Sequence, residues 1–321
     1  MSGGQFVSNC TADAMARAAE VLASGALVAF PTETVYGLGA DATSADAVAR
    51  IYEVKGRPAD HPLIVHIADM HDIAQWSDDT PDYAIALARA FWPGPMTLIL
   101  KRSPLAKDFI TGGQETVGLR VPNHVVALAL LNEFKKIGGK GIAAPSANRF
   151  GHVSPTNADA VSNELSEYLS SGDLILDGGA SRVGVESTII DCTTESPKIL
   201  RPGAITEEMI EDVTKLQLSY DATDIRVSGA LENHYSPAAQ VLLDIEPQPG
   251  DGYIALSRFE TPEGVHRLAS PKNEEEFARL MYAALRSADT QKLSRVVVKE
   301  PEGGGISIAI RDRLQRASRG R

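Results

Sequence analysis

FPTETVYGLGADATSADAVARIYEVKGRPADHPLIVH, residues 30–66, holds a polar loop and one helical pattern between two apolar runs. The first run, 26–30, reads as a buried strand. Val48, Ile51, Tyr52 and Val54 recur near helical spacing, which predicts a helix over 46–54. Gly56 and Pro58 are its stop signals. Residues 62–67 then read as a second buried strand. The unit is strand–loop–helix–loop–strand, and it gathers Thr32, Thr34, Lys55, Arg57, His61 and His66. That set suits a small anionic ligand. Alternate residues of an extended loop point the same way, so Lys55 and Arg57 are expected to reach one anion together.

The same stretch contains Gly37-Leu38-Gly39-Ala40-Asp41-Ala42, a loose match to the dinucleotide fingerprint. That fingerprint needs the glycine loop to open a helix directly after a strand, with an acid about 20 residues on. Here Pro31 and two threonines intervene, and Lys55 and Arg57 follow. A Rossmann site is therefore not expected at this loop. The chain has no P-loop pattern, so any nucleotide is held by other means.

The 321 residues suggest two domains or one large one. Hydrophobic residues make up 43% and charged residues 23%, ordinary for a globular protein. The net charge of −11 argues against electrostatic capture of long nucleic acid, although a local basic pocket is compatible with it. Cys10 and Cys192 lie far apart with no CxxC spacing, which excludes a disulfide scaffold or a cysteine zinc site. With no signal-like N-terminus and no bilayer-spanning apolar run, the expected setting is the cytoplasm, without a membrane partner.

Residues 1–10 read as a loose lead-in. Residues 11–24 read as a helix with Thr11 as N-cap and Gly25 ending it. Another apolar-striped helix, 82–92, stops at Pro93-Gly94-Pro95, and 96–100 is a strand. In TGGQETVGLRVP, 111–122, a strand carries Arg120; a buried arginine needs a carboxylate or phosphate partner. In GIAAPSANRFGHVSPT, 141–156, a short strand over 142–144 leads into loops dense in hydroxyls and amides, small enough for a backbone to approach a ligand. Gly178, Gly179, Ser181 and Gly184 form a candidate anion nest after a strand at 174–176. Residues 186–191 run into a strand, and Arg201 is another cation at a strand end.

Residues 205–224 are helical and then polar, and 227–237 has linker composition yet carries His234 and Tyr235. Beyond it, strand patterns at 239–243, 253–256 and 295–298 alternate with helices over 273–288 and 306–317, which predicts a parallel sheet. Arg311, Arg313 and Arg316 of the last helix read as a solvated face.

PTETVYGLGADA, KGRP followed by PLIVHI, PGPMTLIL, TVGLRVP, APSAN with SPT, ESTIID and LRPG occur in one order over 11–204. Together they resemble the YrdC-like family of threonylcarbamoyl-AMP synthases in its two-domain form; each alone is weak, and the ordered set is specific. The resemblance implies an α/β fold: a YrdC-like curved mixed sheet with helices, an open twisted barrel, over 11–204. A linker with a lid segment over 205–237 and a smaller α/β domain with a parallel Rossmann-like sheet over 238–321 would follow.

It also implies a reaction. L-threonine, bicarbonate and ATP would give threonylcarbamoyl-AMP, pyrophosphate and water, the adenylate being the donor for threonylcarbamoyladenosine in tRNA. The family's motifs assign Lys55 and Arg57 as catalytic. They assign Arg57, His61, Thr116, Ser146, Asn148, Ser154, Arg201, His234 and Tyr235 to ATP. Thr34, His66, Arg120, Ala144 and Ser187 would hold threonine. Mg²⁺ would be held mainly by the ATP phosphates, with no metal site on the protein. A tRNA threonylcarbamoyl transferase machinery would take the product, and direct tRNA binding is not expected. Two departures stand out: His61 replaces a frequent asparagine, and Leu231-Glu232-Asn233 replaces basic residues before His234. The competing readings are an RNA-binding module, disfavoured by charge and by the lack of aromatic interleaving of basic clusters, and a carbamoyltransferase acting on a protein partner.

Overall fold

The computed structural model describes residues 5–7, 10–229 and 235–320. Its helices start where short polar side chains satisfy the first free amides. Thr11 Oγ1 accepts from the Ala14 amide at the head of Ala12–Ala23, and Ser44 Oγ accepts from the Ala47 amide at the head of Ala45–Lys55. Gly56 closes the second of these in a left-handed conformation, φ 60°.

Among the described residues, eleven strands form one mixed sheet. The order runs Gln5–Val7, Leu174–Leu176, Val28–Phe30, Gly37–Asp41, Ile142–Ala143, Ile64–His66, Thr116–Arg120, Met96–Arg102, Thr188–Asp191 and Lys198–Arg201, with Ser77–Asp79 branching off Met96–Arg102. Parallel and antiparallel pairings mix along it: Ile64–His66 runs parallel to Thr116–Arg120 and antiparallel to Ile142–Ala143. This register sets His66 beside Arg120 at the ends of neighbouring strands. One large apolar cluster joins Leu38, Ile51, Val65, Trp76, Leu98 and Leu119. A second packs Ala12–Ala23 and Val125–Lys136 against Phe30 and Leu176.

The lead-in expected at 1–10 contains a strand, Gln5–Val7, parallel to Leu174–Leu176. Its partner lies at the far end of the same domain, so no local signal marks it.

The second sheet holds Gln240–Leu243, Arg295–Val298, Gly252–Ile254 and His266–Ala269 in that order, all parallel. Glu274–Thr290 and Ile306–Ser318 bury their apolar faces against it and each other through Phe277, Met281, Leu285, Ile310 and Leu314. This core also takes in Val35, Val153, Val185 and Tyr235, so loops leading to the first sheet pack into the core of the second. The solvated face expected for the last helix is corrected at Arg313. It is fully buried and donates from Nε to Glu186 Oε2 at 2.8 Å. No described helix is long and apolar enough to cross a membrane.

Candidate active site

The cavity begins in the loop after Val28–Phe30. Thr32 Oγ1 donates to the Val35 carbonyl at 2.6 Å and accepts from the Thr34 amide, folding Pro31–Val35 into a compact turn with Thr34 Oγ1 2.8 Å from Thr32 Oγ1. The chain then enters Gly37–Asp41, and the 145–148 loop lies against it. The Leu38 amide donates to Pro145 O and the Ala147 amide to Tyr36 O. Close approach is why Gly37 and Gly39 are glycines: a Cβ on Gly39 would sit 2.7 Å from Ile142 and 2.8 Å from Phe30. The glycines serve strand packing, which explains why the dinucleotide fingerprint fails.

Lys55 and Arg57 do not converge on one point. Gly56 turns the chain left-handed rather than extended, so the two side chains part. Lys55 is buried, and its Nζ donates to the carbonyls of Ser146 (2.5 Å) and Asn148. It clamps the loop whose Ser146 lines the cavity. Burial, with Arg57 next, pushes its pKa well below the usual range. Arg57 lines the cavity itself. Its Nη2 donates to Pro62 O (3.0 Å) and Ser228 Oγ (3.2 Å), while its buried Nε finds no hydrogen-bond partner among the described residues. Burial lowers its pKa to about 10, so it stays charged at neutral pH.

Arg201 meets Arg57 across Ser228, donating from Nη1 to Ser228 O at 2.8 Å. Its Nε and Nη2 hold Ser187 O, and Ser187 Oγ lies 2.7 Å from Thr97 Oγ1. Arg120, beside His66, is the third cation of the cavity. Arg120 sits 2.8 Å from Glu33 Oε1, both nearly excluded from solvent, so its carboxylate partner in the free protein is Glu33. His66 Nδ1 is buried without a hydrogen-bond partner among the described residues. Burial, reinforced by Arg120, lowers its pKa to about 3, so the ring is neutral. A depressed histidine pKa gives stability that is present above 6.5 and lost as pH falls towards 3. His66→Gln is expected to remove this loss. Between pH 7 and 5 its unfolding free energy should fall by about 2 kcal/mol less than wild type, at ~1.4 kcal/mol per pH unit below 6.5. Parallel urea denaturation curves at the two pH values check this, and an equal drop in both proteins contradicts it.

Of the residues assigned from the sequence, Thr34, Arg57, His66, Arg120, Ala144, Ser146, Ser187, Arg201 and Tyr235 line one cavity. Thr116 lies in an adjoining groove with Arg226 and Ser228. Ser154 is buried behind the wall and donates to Glu186 at 2.6 Å. Asn148 turns inward, donating to Arg149 O and His152 O, with its Oδ1 unpartnered among the described residues. His61 packs edge-on against Phe150. His234 lies outside the described residues.

The expected anion nest is corrected. The Gly178 amide donates to Tyr36 Oη, Gly179 to Asp177, Ser181 to Thr156 O and Val183 to Glu33 O. A Cβ on Gly184 would meet Ala278 O at 2.4 Å, so that glycine serves the packing of its loop against Glu274–Thr290.

Sequence reasoning missed Glu33, Thr97, Glu186 and Ser228. The acids stand next to recognised residues, Glu33 before Thr34 and Glu186 before Ser187. Each faces a buried arginine from elsewhere in the chain, which no local pattern reveals. Among the described residues, no group of three or more His, Cys, Asp or Glu side chains is placed to hold a metal ion.

Residues 20–203 match the Sua5_yciO_yrdC family, described as telomere recombination, and 205–319 match the threonylcarbamoyl-AMP synthase C-terminal domain family. The chain is 40% identical to the threonylcarbamoyl-AMP synthase of Bacillus subtilis, covering 96% of this chain and 93% of that protein. It is 38% identical to that of Pyrococcus abyssi, over 94% and 93%. The crystal structure of P. abyssi Sua5 complexed with L-threonine superposes with a TM-score of 0.85 at 36% identity, covering 99% of this chain and 97% of that one. The chain therefore belongs to the Sua5/YrdC family of threonylcarbamoyl-AMP synthases, in the form that carries the C-terminal domain.

Proposed function

We propose that this cavity joins L-threonine, bicarbonate and ATP into threonylcarbamoyl-AMP, releasing pyrophosphate and water, and that the chain is thereby a nucleotidyltransferase. The observation that carries the reading is the convergence of Arg57, Arg201 and Arg120 with neutral His66 and the hydroxyls of Thr34 and Ser187 on one small cavity. Buried cations left partly unpaired, such as Arg57 Nε, are costly in a free protein and suited to a protein that binds anions.

The chemistry needs no protein nucleophile. Threonine's amine and bicarbonate condense to a carbamate with loss of water. A carbamate oxygen then attacks the α-phosphorus, and pyrophosphate leaves. Charge neutralisation and alignment supply the catalysis. Arg57 and Arg201, joined through Ser228, suit the phosphates. Arg120, a planar fork at a strand end, suits threonine's carboxylate, with Glu33 yielding part of its pairing. The lone acid of the described wall, Glu186, is taken up by Ser154, Tyr282 and Arg313, so the wall does not fit a protein-held metal. Magnesium enters as part of the MgATP substrate.

Residues 205–237 act in this reading as a linker that reaches the cavity at Ser228 and Tyr235, and 230–234, the middle of the expected lid, lie outside the described residues. Ser228 already bonds Arg57 and Arg201, and Tyr235 lines the cavity. The product passes to a tRNA-modifying transferase in the cytoplasm. The RNA-binding alternative is disfavoured by relatives that are named synthases over nearly the whole chain.

Pyrophosphate release with ATP, threonine and bicarbonate, omitting each in turn, tests the reading. Loss of release on every omission supports it, and release without threonine overturns it. The polar wall also predicts specificity. Serine should be weaker by the burial of one methyl, about 1 kcal/mol or roughly fivefold in kcat/KM. Valine, lacking the hydroxyl, should fall by roughly 100-fold or more, since it strands buried polar groups. Equal use of valine and threonine in that assay contradicts a polar pocket.

A further inference from the structure

Glu186 is out of place in a cavity read as a phosphate site. It is the only acid among the described lining residues, it is buried, and a carboxylate there repels a triphosphate. Its oxygens are all engaged. Oε1 accepts from Ser154 Oγ at 2.6 Å, while Oε2 accepts from Tyr282 Oη at 2.9 Å and Arg313 Nε at 2.8 Å. Tyr282 and Arg313 stand on Glu274–Thr290 and Ile306–Ser318, the two helices of the C-terminal sheet.

Arg313 does more than pair. Its Nη2 donates to Pro202 O at 2.9 Å, holding the turn that follows Arg201. Its guanidinium lies 5.4 Å from the centre of the Tyr235 ring, which stacks on Tyr282 at 5.7 Å. The turn itself has little slack, because a Cβ on Gly203 would meet the Thr188 amide nitrogen at 2.3 Å. Burial alone would raise the Glu186 pKa; Arg313 and then Arg201 reverse this and hold it at about 2, so the acid stays ionised at neutral pH.

We propose that Arg313 is a positioning residue of the catalytic cavity, acting through Glu186 to mask the one acidic charge among the described lining residues beside Arg201. The C-terminal domain thereby makes the N-terminal site competent for a nucleotide triphosphate. Threonine, placed against Arg120 and His66, depends on it far less. The proposal rests on the ATP reading given above, and the experiment separates the two.

The test is calorimetric titration of wild type, Arg313→Lys, Arg313→Met, Glu186→Gln and the Arg313→Met/Glu186→Gln pair with α,β-methylene-ATP and with L-threonine, alongside kcat and the KM for ATP. Arg313→Lys keeps the charge and should hold ATP affinity within threefold of wild type. Arg313→Met should weaken ATP at least tenfold and threonine less than threefold. The double variant removes both members of the buried Arg313–Glu186 pair, and Asp312, which Arg313 Nη1 also contacts, keeps its partner Arg316. It should return ATP affinity to within threefold of wild type, and the loss of ATP but not threonine affinity in Arg313→Met is what a purely structural role would not produce. A double variant that still binds ATP tenfold or more weakly overturns the proposal, whether or not Arg313→Met folds. Wild type that fails to bind the nucleotide overturns the ATP reading instead.

Discussion

Arg57→Ala is expected to lower kcat/KM for ATP roughly 10- to 150-fold, the loss of one charge-assisted contact worth about 1.5–3 kcal/mol. The side chain is buried at the cavity wall, keeps its charge with a pKa lowered to about 10 by burial, and holds an unpartnered Nε. Its existing bonds, to Pro62 O and Ser228 Oγ, use a single nitrogen, Nη2, and leave the other face of the fork for phosphate. Losing them should cost little stability, so the melting temperature should move far less than the rate. Steady-state kinetics with varied ATP check the effect. Wild-type turnover in a folded variant would remove Arg57 from the phosphate site.

Lys55→Met should act differently, destabilising the protein by about 2–6 kcal/mol, because two carbonyls lose their donor at about 1–3 kcal/mol each. Those carbonyls belong to Ser146 and Asn148, so the 145–148 loop beside Gly37 loses its anchor. Synthesis should fall together with stability. Urea denaturation at pH 7, paired with pyrophosphate release, reads both. A variant as stable as wild type but inactive would mean that Lys55 leaves the carbonyls and reaches phosphate, as the family's motif had suggested. On this account the two cations around Gly56 separate: Arg57 lines the cavity and Lys55 holds the 145–148 loop.

Much of the fold around residues 30–66 was legible because its signals are local. Val48, Ile51, Tyr52 and Val54 share a helix face, Gly56 stops the helix, and apolar runs of strand length flank it. Gln5–Val7 was not legible, since it is a strand only by pairing with Leu174–Leu176. Val125–Lys136, capped by His124 Nδ1, lies in a stretch left unassigned. His266–Ala269 was hidden likewise, because its pattern of half-buried residues has no clean alternation.

The candidate site divides the same way. Thr34, Arg57, His66, Arg120 and Ser187 sit in motifs with recognisable order, and all five reach the cavity. What the motifs could not convey was which charges cancel. Glu33 meets Arg120 and Glu186 meets Arg313 only after the chain has folded, and the second pair spans both sheets. A charged helix face also reads as solvated until its partner is known. Arg311 and Arg316 bond local groups, Pro301 O and Asp312, whereas Arg313 between them is wholly enclosed.

The most direct measurement is a crystal structure of the protein with L-threonine, α,β-methylene-ATP and magnesium. The account predicts both ligands in the cavity bounded by Thr34, Arg57, His66, Arg120, Ser187 and Arg201. The phosphates should lie against Arg57 and Arg201, with the threonine carboxylate within hydrogen-bond distance of Arg120. Nucleotide bound on the C-terminal sheet, or phosphates away from both Arg57 and Arg201, would contradict it.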